Sequence, residues 1–304
     1  MTKLNHILAA TDLSEPARLA AERAVLIGKE TQSSLELLHV VNISYLDRLR
    51  QMVAATPPNL EEQVLATARR KLQELSDTFS SRHGVVASTL VLTGSPLAQV
   101  SREINEKAVD LVVCGAKGES VVRHVLVGST AQRLLSRARC PVLVVKQPPL
   151  APYRSVLIPV DFSSSSLQAI RHARAVAPHG DLTLLHVFDV PFEGHMRYAS
   201  VDDDIIQHYR NRVKLEATQK IRKLAELAGL APYTFNMVVV HGDTTLRIVD
   251  QEKLQNADLI VMGKHGESLL EEVLLGSVTK HVLAESQCDV LISILPDEKK
   301  QQTT

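Results

Sequence analysis

Apolar residues along this chain follow two alternating patterns. Short, near-continuous runs rich in Val, Leu and Ile cover 7–10, 35–41, 85–92, 111–114 and 141–145, as expected of strands covered on both faces of a parallel sheet. Between them, apolar positions recur every three or four residues. Leu60, Val64, Ala68, Leu72, Leu75 and Phe79 form one such series, and Tyr209, Val213, Ala217, Ile221, Leu224 and Ala228 another; both predict amphipathic helices. Ser14 before Glu15-Pro16 reads as a helix start, because Ser caps free amides and Pro suits the first turn. Strand–helix alternation of this kind predicts a doubly wound α/β domain.

The pattern occurs twice. HILAATDLS (6–14) returns as SVLIPVDFS (155–163), LELLHVV (35–41) as LTLLHVF (182–188), and RCPVLVV (139–145) as QCDVLIS (287–293). DLVVCGAKGES (110–120) matches DLIVMGKHGES (258–268) at seven of eleven positions, and the offset stays between 147 and 149 residues. Each copy is therefore a whole domain, not a solenoid unit. The division expected is domain 1 over 1–147, a Pro-rich linker over 148–153, domain 2 over 154–296 and a tail over 297–304. The fold class expected is two tandem doubly wound α/β domains, each a mainly parallel five-stranded sheet with helices on both faces.

Composition narrows the function. An apolar fraction of 45% excludes a disordered chain. With 34 basic and 34 acidic side chains, 3% aromatics and no Trp, the chain lacks the basic face and stacking rings of a nucleic-acid binder. Cys114, Cys140 and Cys288 form no CxxC pair and read as buried small hydrophobes in a reducing compartment. The opening MTKLNHILAATDLS has no signal-peptide pattern, and no apolar run approaches the roughly 20 residues that span a bilayer. A soluble, cytoplasmic protein that does not bind membranes is expected.

In an open parallel sheet, ligands bind beyond the carboxyl ends of the strands where the strand order reverses. Two features fall there in each copy. One is an Asp at the end of the first strand, Asp12 and Asp161. The other is the loop after the fourth strand, Gly115-x2-Gly118-x9-Gly128-Ser129 and Gly263-x2-Gly266-x9-Gly276-Ser277. Glycine lets backbone approach a ligand closely, and Gly128-Ser129-Thr130 and Gly276-Ser277-Val278 each lead into a helical pattern whose free amides suit an anion. Ser129 and Ser277 can donate a hydroxyl or cap that helix. Other phosphate loops, GxxxxGK[ST] or a GxGxxG after the first strand, are absent from the sequence.

On these motifs the chain resembles the universal stress protein family in its tandem form. The G-x2-G-x9-G-[ST] pattern is similar to that family's ATP-binding signature, and the openings, the LLHV strands and the RCPVLVV ending agree. The resemblance implies one nucleotide pocket per domain, taking ATP or AMP with Mg2+, and a nucleotide-dependent sensor or regulator of the stress response. Asp12 and Val40 would contact the nucleoside, Cys114 and Gly115 the ribose, and Gly118, Gly128, Ser129 and Thr130 the phosphates. The matching positions in domain 2 are Asp161, Val187, Met262, Gly263, Gly266, Gly276, Ser277 and Val278. In the family arrangement the fifth strand lies at a sheet edge, so antiparallel pairing of 141–146 with 290–295 is expected, giving an intramolecular pseudo-dimer and leaving a homodimer open. The protein partner is unknown.

The copies are not equivalent. Residues 1–150 carry 18 basic and 14 acidic side chains, a net +4; residues 151–304 carry 16 and 20, a net −4. Lys117, Arg123 and His124 suit phosphate, whereas Glu271-Glu272 stand opposite in the second copy. Electrostatics favours the first pocket, while the lettering GKHG…LLGSVT favours the second.

Other candidates weigh less. His39 and His186 read as histidines hydrogen-bonded in place, because no HxxxH or HxH spacing supports a metal. Among His195, Asp202, Asp203, Asp204 and His208, Asp204 is expected to cap a helix beginning near Ile205. The run Ser163–Ser166 reads as a helix cap, Pro141 as the start of a strand, and no GxSxG elbow anchors a hydrolase. Segments 42–59 and 189–203 differ most between copies and are expected to form flaps. No catalytic set and no metal site are expected. Two alternatives stay open: a slow ATP hydrolase or phosphotransferase, and a nucleotide-independent interaction module.

Overall fold

The computed structural model describes residues 3–42, 59–116, 128–190, 193, 198–199, 201–266 and 275–295. The chain divides into two compact units at Pro152/Tyr153, here domains 1 and 2.

Domain 1 runs β1 (His6–Thr11), α1 (Glu15–Thr31), β2 (Ser34–Val41), α2 (Leu60–His83), β3 (Ser88–Thr93), α3 (Pro96–Glu106), β4 (Leu111–Gly115), α4 (Ser129–Arg137) and β5 (Val142–Val145). Its sheet has the order β3-β2-β1-β4-β5, every neighbouring pair being parallel. Domain 2 repeats the plan with β6 (Ser155–Pro159), α5 (Ser164–Val176), β7 (Asp181–Phe188), α6 (Asp203–Leu227), β8 (Phe235–His241), α7 (Thr244–Leu254), β9 (Leu259–Gly263), α8 (Ser277–Glu285) and β10 (Asp289–Ser293). Its order is β8-β7-β6-β9-β10, again parallel throughout.

The chain moves outward from β1 through β2 to β3, then returns past β1 to β4 and β5. Right-handed crossovers therefore put α1 and α2 on one face and α3 and α4 on the other, and α1 packs on α2 as α3 packs on α4. Covered on both faces, the central strands are dry: Ile7, Leu8, Leu111, Val112, Val113, Leu259, Ile260 and Val261 are fully buried. The order reverses between β1 and β4, and between β6 and β9. That reversal opens a crevice at the strand carboxyl ends.

Local signals explain the boundaries. Ser14 caps α1 by accepting from the Ala17 amide, and Ser163 caps α5 through the Ser166 amide. Gly84 closes α2 in the left-handed region (φ 71), so β3 begins at Ser88, later than the apolar run at 85 predicts. At the amino ends of the sheets, Asp110 accepts from the amides of Asn5 and His6, and Asp258 from those of Arg154 and Ser155. One carboxylate thus pins the first strand of each domain to the fourth.

Two expectations need correction. The cap of α6 is Asp202, whose Oδ1 accepts from the Asp204 amide; Asp204 lies inside the first turn. The buried stripe of that helix begins at Ile206, whereas Tyr209 is 42% exposed, its amphipathic ring sitting at the water boundary. Residues 43–58 of the first flap segment, and 191–192, 194–197 and 200 of the second, His195 among them, lie outside the described residues.

Candidate functional site

In domain 1 the carboxyl end of β1 delivers Thr11 and Asp12, β2 delivers Leu38 and Val40, and β4 ends in Cys114 and Gly115. The amino end of α4 brings Gly128, Ser129, Thr130 and Ala131 to the same place. Together with Ala10, Ala17, Ala116, Leu134 and the Pro96, Leu97 and Val100 face of α3, they enclose a cleft of about 180 Å³. Seven of the eight positions expected in this domain thus meet in one cleft. The eighth, Gly118, lies outside the described residues, as do Lys117, Arg123 and His124.

The cleft has two chemically distinct parts. Leu38, Val40, Pro96, Leu97, Val100 and Leu134 make apolar walls. At the other end Gly128 is the N-cap of α4 and supplies no side-chain bond. The first amides of α4 therefore remain for a ligand or water, with the positive end of the helix behind them. Of the two roles open to Ser129 and Ser277, hydroxyl donor or cap, capping falls instead to Gly128 in one domain and Gly276 in the other.

Asp12 is held where β1 ends. Leu13 takes a left-handed conformation (φ 66), and Asp12 Oδ1 accepts from the Ser14 amide and hydroxyl. His39 Nδ1 lies 2.8 Å from the Thr11 carbonyl, so this ring braces the turn as expected of a histidine bonded in place. Cys114 is buried, and burial pushes its thiol up to about 12. It is an apolar wall there, not a nucleophile.

Domain 2 assembles the equivalent positions with a further serine at its aspartate. Phe162 repeats the left-handed turn (φ 68). Asp161 Oδ1 accepts from the Ser163 amide, the Ser163 hydroxyl and the Ser166 hydroxyl, whereas Ala17 stands at the Ser166 position in domain 1. Val187 lies one residue from the end of β7, Met262 and Gly263 end β9, and Gly276, Ser277 and Val278 open α8. Both loop glycines are needed here. A Cβ at Gly263 would lie 2.7 Å from that of Ser165, and one at Gly266 would lie 2.8 Å from Asp161 Oδ2. His186 Nδ1 sits 2.8 Å from the Val160 carbonyl and its ring 4.4 Å from Phe162. Burial outweighs that hydrogen bond and lowers the pKa of His186, which keeps the ring neutral. Glu271 and Glu272 lie outside the described residues.

Sequence reasoning missed the Pro96–Val100 wall. Its one signal was Ser95-Pro96, a helix start following β3 at the same end of the sheet. Among the described residues no group of three or more His, Cys, Asp or Glu side chains could hold a metal ion, and no helix is long and apolar enough to cross a membrane.

Comparison with known proteins agrees with the repeat. The model of the universal stress protein family matches residues 3–146 and again 152–293. A universal stress protein of Methanocaldococcus jannaschii is 34% identical over 150 residues, 48% of this chain and 85% of that protein. One from Mycolicibacterium smegmatis is 26% identical over 306 residues, 94% of this chain and 96% of its own length. The crystal structure of a universal stress protein from Archaeoglobus fulgidus superposes with a TM-score of 0.66 at 19% identity, covering 96% of this chain and 99% of that one.

Proposed function

The chain belongs to the universal stress protein family in tandem form, and from that premise we propose that it binds an adenine nucleotide, ATP or AMP, and acts as a nucleotide-dependent regulator in the stress response. The supporting observation is the domain 1 cleft, where apolar walls adjoin the uncapped amino end of α4. A base fits the walls, Asp12 stands where a sugar or base donor would meet an acceptor, and the α4 amides with the Ser129 and Thr130 hydroxyls face the phosphates. The described residues supply no carboxylate cluster of their own, so Mg2+ would arrive with the triphosphate and neutralise its charge.

Domain 2 carries the same proposal at Asp161, Val187, Met262, Gly263, Gly266, Gly276, Ser277 and Val278, with its aspartate held by Ser163 and Ser166. The reading is one of binding, without a catalytic step. The test is native mass spectrometry of the full chain titrated with ATP and Mg2+, using wild type, Asp12→Ala and Gly266→Ala. Each variant is expected to lose its own site, Gly266→Ala because its new methyl meets Asp161. Absence of binding at millimolar ATP would overturn the proposal, and release of ADP in step with binding would replace it with hydrolysis.

A further inference from the structure

Three positions around the middle of the cleft differ in size between the two domains. In domain 1 they are Ala17, third residue of α1, Cys114, last but one of β4, and Ala131, third residue of α4, and all three line the cleft. At the same places in α5, β9 and α8, domain 2 has Ser166, Met262 and Thr279. These side chains add five heavy atoms in all.

Domain 2 shows where such side chains point. Ser166 Oγ donates to Asp161 Oδ1 at 2.6 Å, and Thr279 Oγ1 donates to the Gly263 carbonyl at 3.0 Å. Both hydroxyls thus turn toward the chain just past β6 and the end of β9, where Met262 also stands. The floor there has no slack, because a Cβ on Gly263 would lie 2.7 Å from that of Ser165.

In domain 1 the base walls come from β2 and α3, the phosphate end is the start of α4, and β1 and β4 are the strands between β2 and β5. A nucleotide laid along the cleft therefore carries its sugar over the ends of β1 and β4. Ala17, Cys114 and Ala131 give that space small walls without charge, since burial keeps the Cys114 thiol protonated.

Resting on the adenine-nucleotide reading above, we propose that the domain 1 site takes adenine nucleotides that carry an uncharged acyl group on a ribose hydroxyl, that the domain 2 site rejects them, and that Cys114/Met262 and Ala131/Thr279 are the positions that decide. An acyl group against Met262 and Thr279 would overpack a site that cannot yield. A phosphate on the same hydroxyl would lose its water against a thiol and methyl groups, which is costly for a charge.

The probe is mant-ATP, an ATP whose ribose 2′ or 3′ oxygen bears an N-methylanthraniloyl ester, titrated with Mg2+ into the full chain beside unmodified ATP and read by native mass spectrometry. Wild type is expected to bind two ATP but one mant-ATP. Cys114→Met/Ala131→Thr should lower the affinity for mant-ATP relative to ATP about tenfold. The reverse exchange, Met262→Cys/Thr279→Ala, should add a second mant-ATP. Thermal melts establish that each variant folds, and the reverse exchange, which only removes bulk, tests the proposal if the first variant does not. The proposal is overturned if wild type takes two mant-ATP, if it takes ATP but no mant-ATP, or if neither exchange moves the affinity ratio. Adenosine 3′,5′-bisphosphate displacing mant-ATP better than AMP does would show that the space receives charge, and equally overturn it. In each of those outcomes ATP still binds, so the adenine-nucleotide reading stands; ATP binding nowhere would remove that reading and this one together.

Discussion

The two domains share one backbone plan, yet they place charge differently inside it. In domain 1 the Lys107 ammonium lies 2.7 Å from Glu36 and 2.9 Å from Glu103, two carboxylates of which 8% and 4% of the side chain is exposed. Burial opposes the charge on both Lys107 and Glu103, but their bonds win, those of Lys107 to Glu36 and Glu103 and those of Glu103 to Lys107 and Arg102: the amine titrates above its ordinary range and the carboxyl below it. Domain 2 has Thr183, Gln251 and Gln255 at these positions, and the two glutamines hydrogen-bond to each other at 3.0 Å. The same contrast holds on the first helix of each domain. Arg23 of domain 1 donates to the Ala151 carbonyl, whereas His172 of domain 2 is buried between Gln168 and the Ser293 hydroxyl. A fold of this kind tolerates either a satisfied ion cluster or a neutral network, provided that each buried polar group keeps a partner.

The largest expected break in this comparison is Lys107→Met. Two buried carboxylates would lose their shared cation, at a cost of about 3 kcal/mol to domain 1, the low end for such a loss because Lys107 is itself partly exposed. Gln255→Met should cost domain 2 less than about 1 kcal/mol. Hydrogen exchange read separately for each domain under mild denaturant distinguishes them. An unchanged domain 1 would mean that Arg102, 3.3 Å from Glu103, and His6, 3.6 Å from Glu36, or water take over from Lys107.

Acid should separate the domains in the opposite sense. Burial lowers the pKa of His172 to about 4, so in the folded state it stays neutral where the unfolded chain is protonated. Its contribution is complete above about pH 6.5 and is lost as pH falls from there to about 4, on the order of 3 kcal/mol in all. Domain 1 has no counterpart in that window at Arg23. Its Glu103, held below the ordinary carboxyl range by Lys107, gives up stability only below about pH 4. Domain 2 should therefore loosen first on acidification, and His172→Gln should flatten its profile.

The smallest contrast concerns the caps. Ser14→Ala and Ser163→Ala should each cost about 1 kcal/mol. Ser166 would still hold Asp161, whereas Ala17, at that position in domain 1, has no hydroxyl to offer Asp12. Calorimetry should find the two losses similar, and ATP titration should find weakened binding in domain 1 alone.

Much of this architecture was legible from spacing. Near-continuous apolar runs located the strands and period-3.6 patterns the helices, and the repeat at 147–149 residues placed Asp12, Gly115 and Gly128 at one end of the sheet. Contacts between distant segments were not legible. Lys107 reaches Glu36 across 71 residues, and no local pattern encodes that approach. Leu97 enters the cleft because a right-handed crossover lays α3 over it, a property of topology and not of its neighbours. The capping role of Asp202 was hidden among three consecutive aspartates, any of which satisfies the residue preference.

The cysteines have a practical consequence. Cys114 and Cys140 lie buried in domain 1 and Cys288 in domain 2, all as free thiols. In the native chain Cys140 and Cys288 are shielded from alkylating reagents, so a label acquired there records an opening event, while Cys114, on the cleft wall, is protected further when the cleft is filled. Two added masses within residues 3–152 and one within 153–295 would identify, peptide by peptide, which half of the molecule opened and when. The chain thus carries its own clock for local unfolding, with no engineered reporter required.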